Sequence, residues 1–161
     1  MSSYEKIAEV YFMLDNYSDA INYLEISLNM AKKFKNIYFL EHLNSILAWA
    51  YYRLNDFNKA LEYLSYNKGL IDHRLIIPDS VIESLIYFSL ENKELLNKAI
   101  LNLNNPKTIQ HIGEHNSKLI YDLFKLFIED NNYNKNPLWG NLLSEINTNI
   151  TKLVELKKVF N

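Results

Sequence analysis

Apolar residues recur along the chain at spacings of three and four, the signature of helices with one buried face. The clearest stretch is Leu40, Leu43, Leu47, Tyr51 and Leu54, which falls on a single stripe. Asn55-Asp56 interrupts it and supplies turn and N-cap chemistry. A second helix is predicted to follow, carrying Phe57, Ala60, Leu61, Leu64 and, further on, Leu70-Ile71. The pattern therefore predicts a helical hairpin over about 40–73.

The same hairpin is written once before. Setting Ile7–Leu24 above Leu47–Leu64 without a gap aligns Ala8 with Ala48, Tyr11 with Tyr51 and Leu14 with Leu54. Ala20 then meets Ala60, and Tyr23-Leu24 meets Tyr63-Leu64. Between them Asp15-Asn16-Tyr17 faces Asn55-Asp56-Phe57, so the turn repeats with the helices. The small residues at 8, 20, 48 and 60 let paired helices approach closely. An isolated hairpin of this kind cannot bury its apolar face, so neighbouring copies are expected to stack.

The C-terminal half is less regular. Pro78-Asp79-Ser80 opens a third pair over about 78–104, with Ser80 and Glu83 placed for a capping box. Tyr87, Leu90, Glu91 and Asn92 echo Tyr11, Leu14, Asp15 and Asn16, and Asn104-Asn105-Pro106 ends the following helix. A fourth pair is predicted over about 107–131 and Pro137–Phe160, across an Asn-rich turn at 131–136. Its last helix carries Leu142, Ile146, Ile150, Leu153 and Phe160 on one side, which suits a terminal cap or a self-association surface.

Ala8, Tyr11, Ala20 and Leu24, with Ala48, Tyr51, Ala60 and Leu64, resemble the tetratricopeptide repeat: a small residue and an aromatic on the first helix, an alanine and an apolar residue on the second. The resemblance covers residues 4–72. It implies an all-α, right-handed solenoid of three to four helical pairs with a C-terminal capping helix, 1–161 forming one domain. The spacing is forty residues where 34 is usual, and the customary proline after the second helix is missing, so the second helices are expected to run longer. Lengthened repeats of this sort are similar to those of peptide-pheromone receptors of Gram-positive bacteria, the Rap, NprR and PlcR group. Such receptors carry a separate effector domain, often a DNA-binding one. None precedes Tyr4, so a regulator of that kind is expected here as a fragment or a stand-alone relative.

Composition narrows the function classes. Three glycines and three prolines in 161 residues are too few for the turns of a β-sandwich or a doubly wound sheet. There are no cysteines, which removes disulfides and thiolate chemistry. The net charge is -2, and Lys32, Lys33 and Lys35 close a predicted helix, where they complement its dipole, so direct nucleic-acid binding is not expected. Neither a signal peptide nor an apolar run long enough to span a bilayer is present, which predicts a cytoplasmic protein with no membrane role.

One motif has catalytic precedent. His111-Ile112-Gly113-Glu114-His115 matches H-x-x-E-H, which on one helix would place two zinc-ligating histidines a turn apart. Gly113 weakens the helix at its centre, and nothing singles out a third ligand among Glu129, Glu145 and Glu155. Gly69, Gly113 and Gly140 are too far apart for a phosphate loop, and the Glu5/Glu9 pair reads as a solvated face. The chain is therefore expected to be neither an enzyme nor a metal or cofactor protein.

A binding groove has more support. In a tetratricopeptide-like stack the first helices would line a concave surface, displaying His42, Ser45, Trp49, Tyr52 and Arg53 on the second repeat. The first repeat offers Phe12 and Met13, and the third Phe88. Aromatics beside an arginine suit polypeptide recognition. The same stripe also suits a packed core, and spacing does not separate the two. The expected function is a peptide- or protein-binding module, possible partners being a peptide, a protein segment or a second copy through Leu142, Ile146 and Ile150.

Overall fold

The computed structural model describes residues 3–67 and 77–149. Among these residues the chain is all-helical, with nine α-helices, two short 3-10 segments and no strand. Its contacts divide it into two compact units, Met1–Ile76 and Ile77–Asn161. The division falls between the second and third hairpins, within what the periodicity alone draws as one domain.

The first unit holds α1 (Ser3–Met13), α2 (Tyr17–Lys33), α3 (Ile37–Arg53) and α4 (Phe57–Ser65). Each packs on the next along the chain. Ala8, Ala20, Ala48 and Ala60 are all buried at the crossings, where a larger side chain would hold the helices apart. Leu24, Leu43 and Leu47 fill the space between, each fully buried Leu contributing about 1.5–3 kcal/mol of transfer free energy. At 17 residues α2 is longer than α1, but α4 ends at Ser65 after 9 and is shorter than the 17-residue α3, so the lengthening expected of the second helices holds for the first hairpin only. Leu70-Ile71 lie outside the described residues.

One turn is used four times. At its centre stand Asp15, Lys35, Asn55 and Glu91, with φ of 54°, 52°, 60° and 53°. The following residue both closes one helix and caps the next. Asn16, Asn36, Asp56 and Asn92 donate their backbone N–H to Tyr11, Ala31, Tyr51 and Tyr87 carbonyls at 2.9, 3.1, 2.9 and 3.0 Å. Their side-chain oxygens then accept from the N–H groups of Asp19, Phe39, Lys59 and Leu95. This is a Schellman closure fused to an N-cap, so both ends of the break are satisfied within three residues. None of the four left-handed residues is glycine.

The second unit holds α5 (Asp79–Ser89) and α6 (Lys93–Ala99), the latter tightening into a 3-10 segment, Ile100–Asn104. Then come α7 (Pro106–Ile112), α8 (Glu114–Glu129), a 3-10 turn at Tyr133–Lys135, and α9 (Pro137–Asn149). Its core includes Leu85, Ile86, Leu96, Ile100, Leu103, Ile120 and Phe124.

Two expectations fail here. Ser80 does not cap α5. Pro78 occupies the cap position with no side-chain hydrogen bond, and Ser80 lies inside the helix, its hydroxyl 2.7 Å from that of Thr108. The helix predicted over 107–131 is two helices, because Gly113 takes φ 82° and ψ 151°, a conformation that only glycine adopts without strain.

Candidate binding surface

The hairpins of the first unit repeat contact for contact. Tyr11 stacks on Tyr23 with centroids 5.5 Å apart and planes 14° from parallel; Tyr51 stacks on Tyr63 at 5.5 Å and 11°. Phe12 meets Tyr17 edge-on at 5.4 Å, and its counterpart Tyr52 meets Phe57 at 5.9 Å in a more tilted geometry. The helix-to-helix contacts thus recur with the forty-residue period. Tyr51 also donates its hydroxyl to Glu25 of α2 at 3.0 Å. Burial, with that hydrogen bond second, pushes its pKa above the ordinary tyrosine range.

The residues predicted to line the groove separate into two layers. Phe12, Trp49 and Tyr52 are buried, Trp49 to 2% exposure. Trp49 stacks on Tyr52 at 5.3 Å. These three are packed side chains rather than an exposed aromatic strip: Phe12 is engaged by Tyr17, Tyr52 by Phe57, and Trp49 by Tyr52. Ser45 is buried as well. Met13 is exposed, whereas His42 and Arg53 are partly exposed. The Arg53 guanidinium lies over the Tyr17 ring at 4.9 Å and the Trp49 ring at 5.8 Å, so the buried aromatics orient it.

Phe88 belongs to the second unit. It packs edge-on against Phe127 at 4.7 Å, beside Phe124 and Trp139, and Tyr133 joins the cluster through Phe127 and Trp139. Leu142 and Ile146 are buried in α9, which packs on α8, so the helix spends there two of the three residues foreseen for self-association. Ile150, Leu153 and Phe160 lie outside the described residues, as does Gly69.

Sequence reasoning named His42 and Ser45 but missed the polar partners that hold them. Glu5 is no solvated residue: it is buried, and its Oε1 lies 2.7 Å from His42 Nε2, tying α1 to α3. Phe39 stacks against the same imidazole at 6.4 Å. Glu5 stands three and seven residues before Ala8 and Phe12, on their side of α1, which was the available signal. On α3, Asn67 donates to the Ser45 hydroxyl at 2.8 Å and the Glu41 carbonyl at 3.2 Å, and accepts from Asn44 at 3.1 Å. That network fastens the segment after α4 to the N-terminal half of α3.

The H-x-x-E-H segment does not form its helix. His111 lies in the last turn of α7 and His115 in the first turn of α8, with Gly113 breaking the helix between them. His115 lies 3.1 Å from Glu145 at the surface. Among the described residues no group of three His, Cys, Asp or Glu side chains is placed to hold a metal ion, and no helix is long and apolar enough to cross a membrane. No family model, curated protein or solved structure matches this chain.

Proposed function

We propose that this chain is a cytoplasmic protein-interaction module, a right-handed solenoid of tetratricopeptide-type hairpins that holds a peptide or an extended partner segment without covalent chemistry. The observation that carries the reading is the recurrence of the Tyr11–Tyr23 stack as Tyr51–Tyr63, forty residues on. Stacked hairpin repeats present extended surfaces suited to polypeptides.

The first helices of the two hairpins, α1 and α3, supply the recognition residues. His42 and Arg53 stand eleven residues apart on α3, about 16 Å along the axis and close to one face. Met13 adds an exposed apolar contact from α1. The buried Tyr17 and Trp49 rings under its guanidinium fix Arg53, and a fixed guanidinium suits a partner carboxylate. A peptide-signal receptor is the narrower form of this function. Self-association through α9 has less support, since Leu142 and Ile146 are buried.

Selection from a random displayed peptide library tests the proposal. Wild-type protein should enrich peptides with a shared motif, and a Met13→Glu/Arg53→Ala variant of equal helicity should lose them. Enrichment of nothing by the wild type, or the same peptides by both, would contradict it.

A further inference from the structure

The break between α2 and α3 differs in chemistry from the other three built on the same turn. Its central residue is Lys35, where the others carry Asp15, Asn55 and Glu91. Every residue from Lys32 to Tyr38 is exposed. Phe34 is 72%, Ile37 55% and Tyr38 68% exposed, whereas Tyr17, which holds Ile37's place after the first turn, is buried. Ile26 and Met30, eight and four residues before Phe34, are exposed too and continue the apolar stripe along one side of α2.

The charge at this turn is of one sign. No Asp or Glu occurs between Glu25 and Glu41. Among the described residues Lys32, Lys33 and Lys35 have no carboxylate within ion-pair reach, whereas Lys59, Lys98, Lys118 and Lys125 each lie beside an acid three or four residues away. The dipole of α2 accounts for cations at its end. It does not account for a phenylalanine, an isoleucine and a tyrosine left in water among them.

We propose that the α2–α3 turn rests on the surface of an anionic phospholipid bilayer. Phe34, Ile37 and Met30 would enter the boundary between headgroups and acyl chains, and the three ammoniums would meet lipid phosphates and carboxylates. Lysine stems can lie along the apolar layer while their charges stay at headgroup level. Asn36 closes α2 and caps α3, so the turn is already ordered and contact costs little entropy. An acidic polypeptide or a nucleic acid fits less well. Exposure this high marks a protruding turn rather than the groove a partner segment needs, and a nucleic acid has no use for Ile37 and Met30. Surface contact requires no spanning helix, and it departs from the expectation of no membrane role, which rested on spanning and export segments. The turn includes none of Met13, His42 and Arg53, so it can fail while the α1 and α3 surface holds, and the reverse.

The test is sedimentation of the full chain with vesicles, one set of phosphatidylserine with phosphatidylcholine and one of phosphatidylcholine alone. The wild type should partition onto the anionic set and far less onto the neutral one, and added salt should release it. A lysine near such a surface is worth about fivefold, so Lys32→Gln/Lys33→Gln/Lys35→Gln should weaken partitioning about a hundredfold. Phe34→Ser should weaken it at least about tenfold. These side chains are exposed in the free protein, and circular dichroism checks that both variants fold. Lys98→Gln/Lys118→Gln/Lys125→Gln removes the same charge elsewhere and should partition as the wild type does. No binding to anionic vesicles, equal binding to both sets, or binding that either the lysine variant or Phe34→Ser leaves unchanged overturns the proposal. So does capture of a polyglutamate peptide or a single-stranded oligonucleotide through these lysines where vesicles capture nothing, which would assign the turn to an acidic polypeptide or a nucleic acid.

Discussion

The Tyr51 ring lies on that of Tyr63, centroids 5.5 Å apart, and its hydroxyl reaches Glu25 on the preceding hairpin at 3.0 Å. One side chain thus joins α3 both to its own hairpin partner and to the hairpin before it. Replacing Tyr51 by Phe keeps the stack and removes the bond, at an expected cost of about 1 kcal/mol in urea denaturation. Tyr51→Ala removes both and should cost several times more.

The same hydroxyl sets an alkaline limit. An unfolded tyrosine ionises near pH 10, while burial and Glu25 hold the folded Tyr51 protonated above that. Between the two values the unfolded chain carries fewer protons, so stability falls as pH rises. Below about pH 10 the contribution is fully present. Denaturation midpoints measured from pH 9 to 11 should decline, and Tyr51→Phe should flatten the decline. An unchanged slope would remove Tyr51 as its cause.

Lys35 and Glu91 sit in the left-handed region at φ 52° and 53°. A side chain there costs about 1–2 kcal/mol that glycine avoids. Lys35→Gly and Glu91→Gly should each raise the denaturation midpoint, against the general tendency of glycine to lower it. By contrast, Asn36→Ala and Asn92→Ala remove the neighbouring caps and should each cost about 1 kcal/mol.

Gly113 is the converse case. A methyl group there would meet nothing within 4 Å, yet φ 82° forbids it conformationally. Gly113→Ala should destabilise the protein by roughly 1–3 kcal/mol, with no steric clash to relieve. A neutral result would show that α7 and α8 join without this kink.

Trp49 is buried against Tyr52, so Trp49→Ala should cost about 3–5 kcal/mol as a core deletion. Loss of binding in that variant says nothing about recognition. Arg53→Ala and Met13→Glu probe the surface without emptying the core.

The turns were the most legible part of the chain. Leu14-Asp15-Asn16, Leu54-Asn55-Asp56 and Leu90-Glu91-Asn92 carry their geometry locally, because cap and closure are made within a few residues. The small residues at 8, 20, 48 and 60 announced the helix crossings for the same reason. The site was less legible because its decisive contacts are long-range. Burial of Glu5 depends on His42, 37 residues away; the periodicity of α1 puts it on the side of Ala8 and Phe12 but does not supply that partner. Phe12, Trp49 and Tyr52 fit the spacing of an exposed strip and of a core equally, and only their contacts decide: Phe12 with Tyr17, Tyr52 with Phe57, and Trp49 with Tyr52. Phe88 shares their spacing, but its ring is engaged by Phe127 and Trp139, which the repeat pattern does not reach.

The most direct test of a polypeptide-binding surface on α1 and α3 is amide hydrogen exchange, read by mass spectrometry with and without a selected peptide. Binding as proposed should slow exchange in residues 3–13 and 37–53 beyond the rest of the chain, and Arg53→Ala should abolish the difference. Protection confined to residues 77–149, or no protection at saturating peptide, would contradict it.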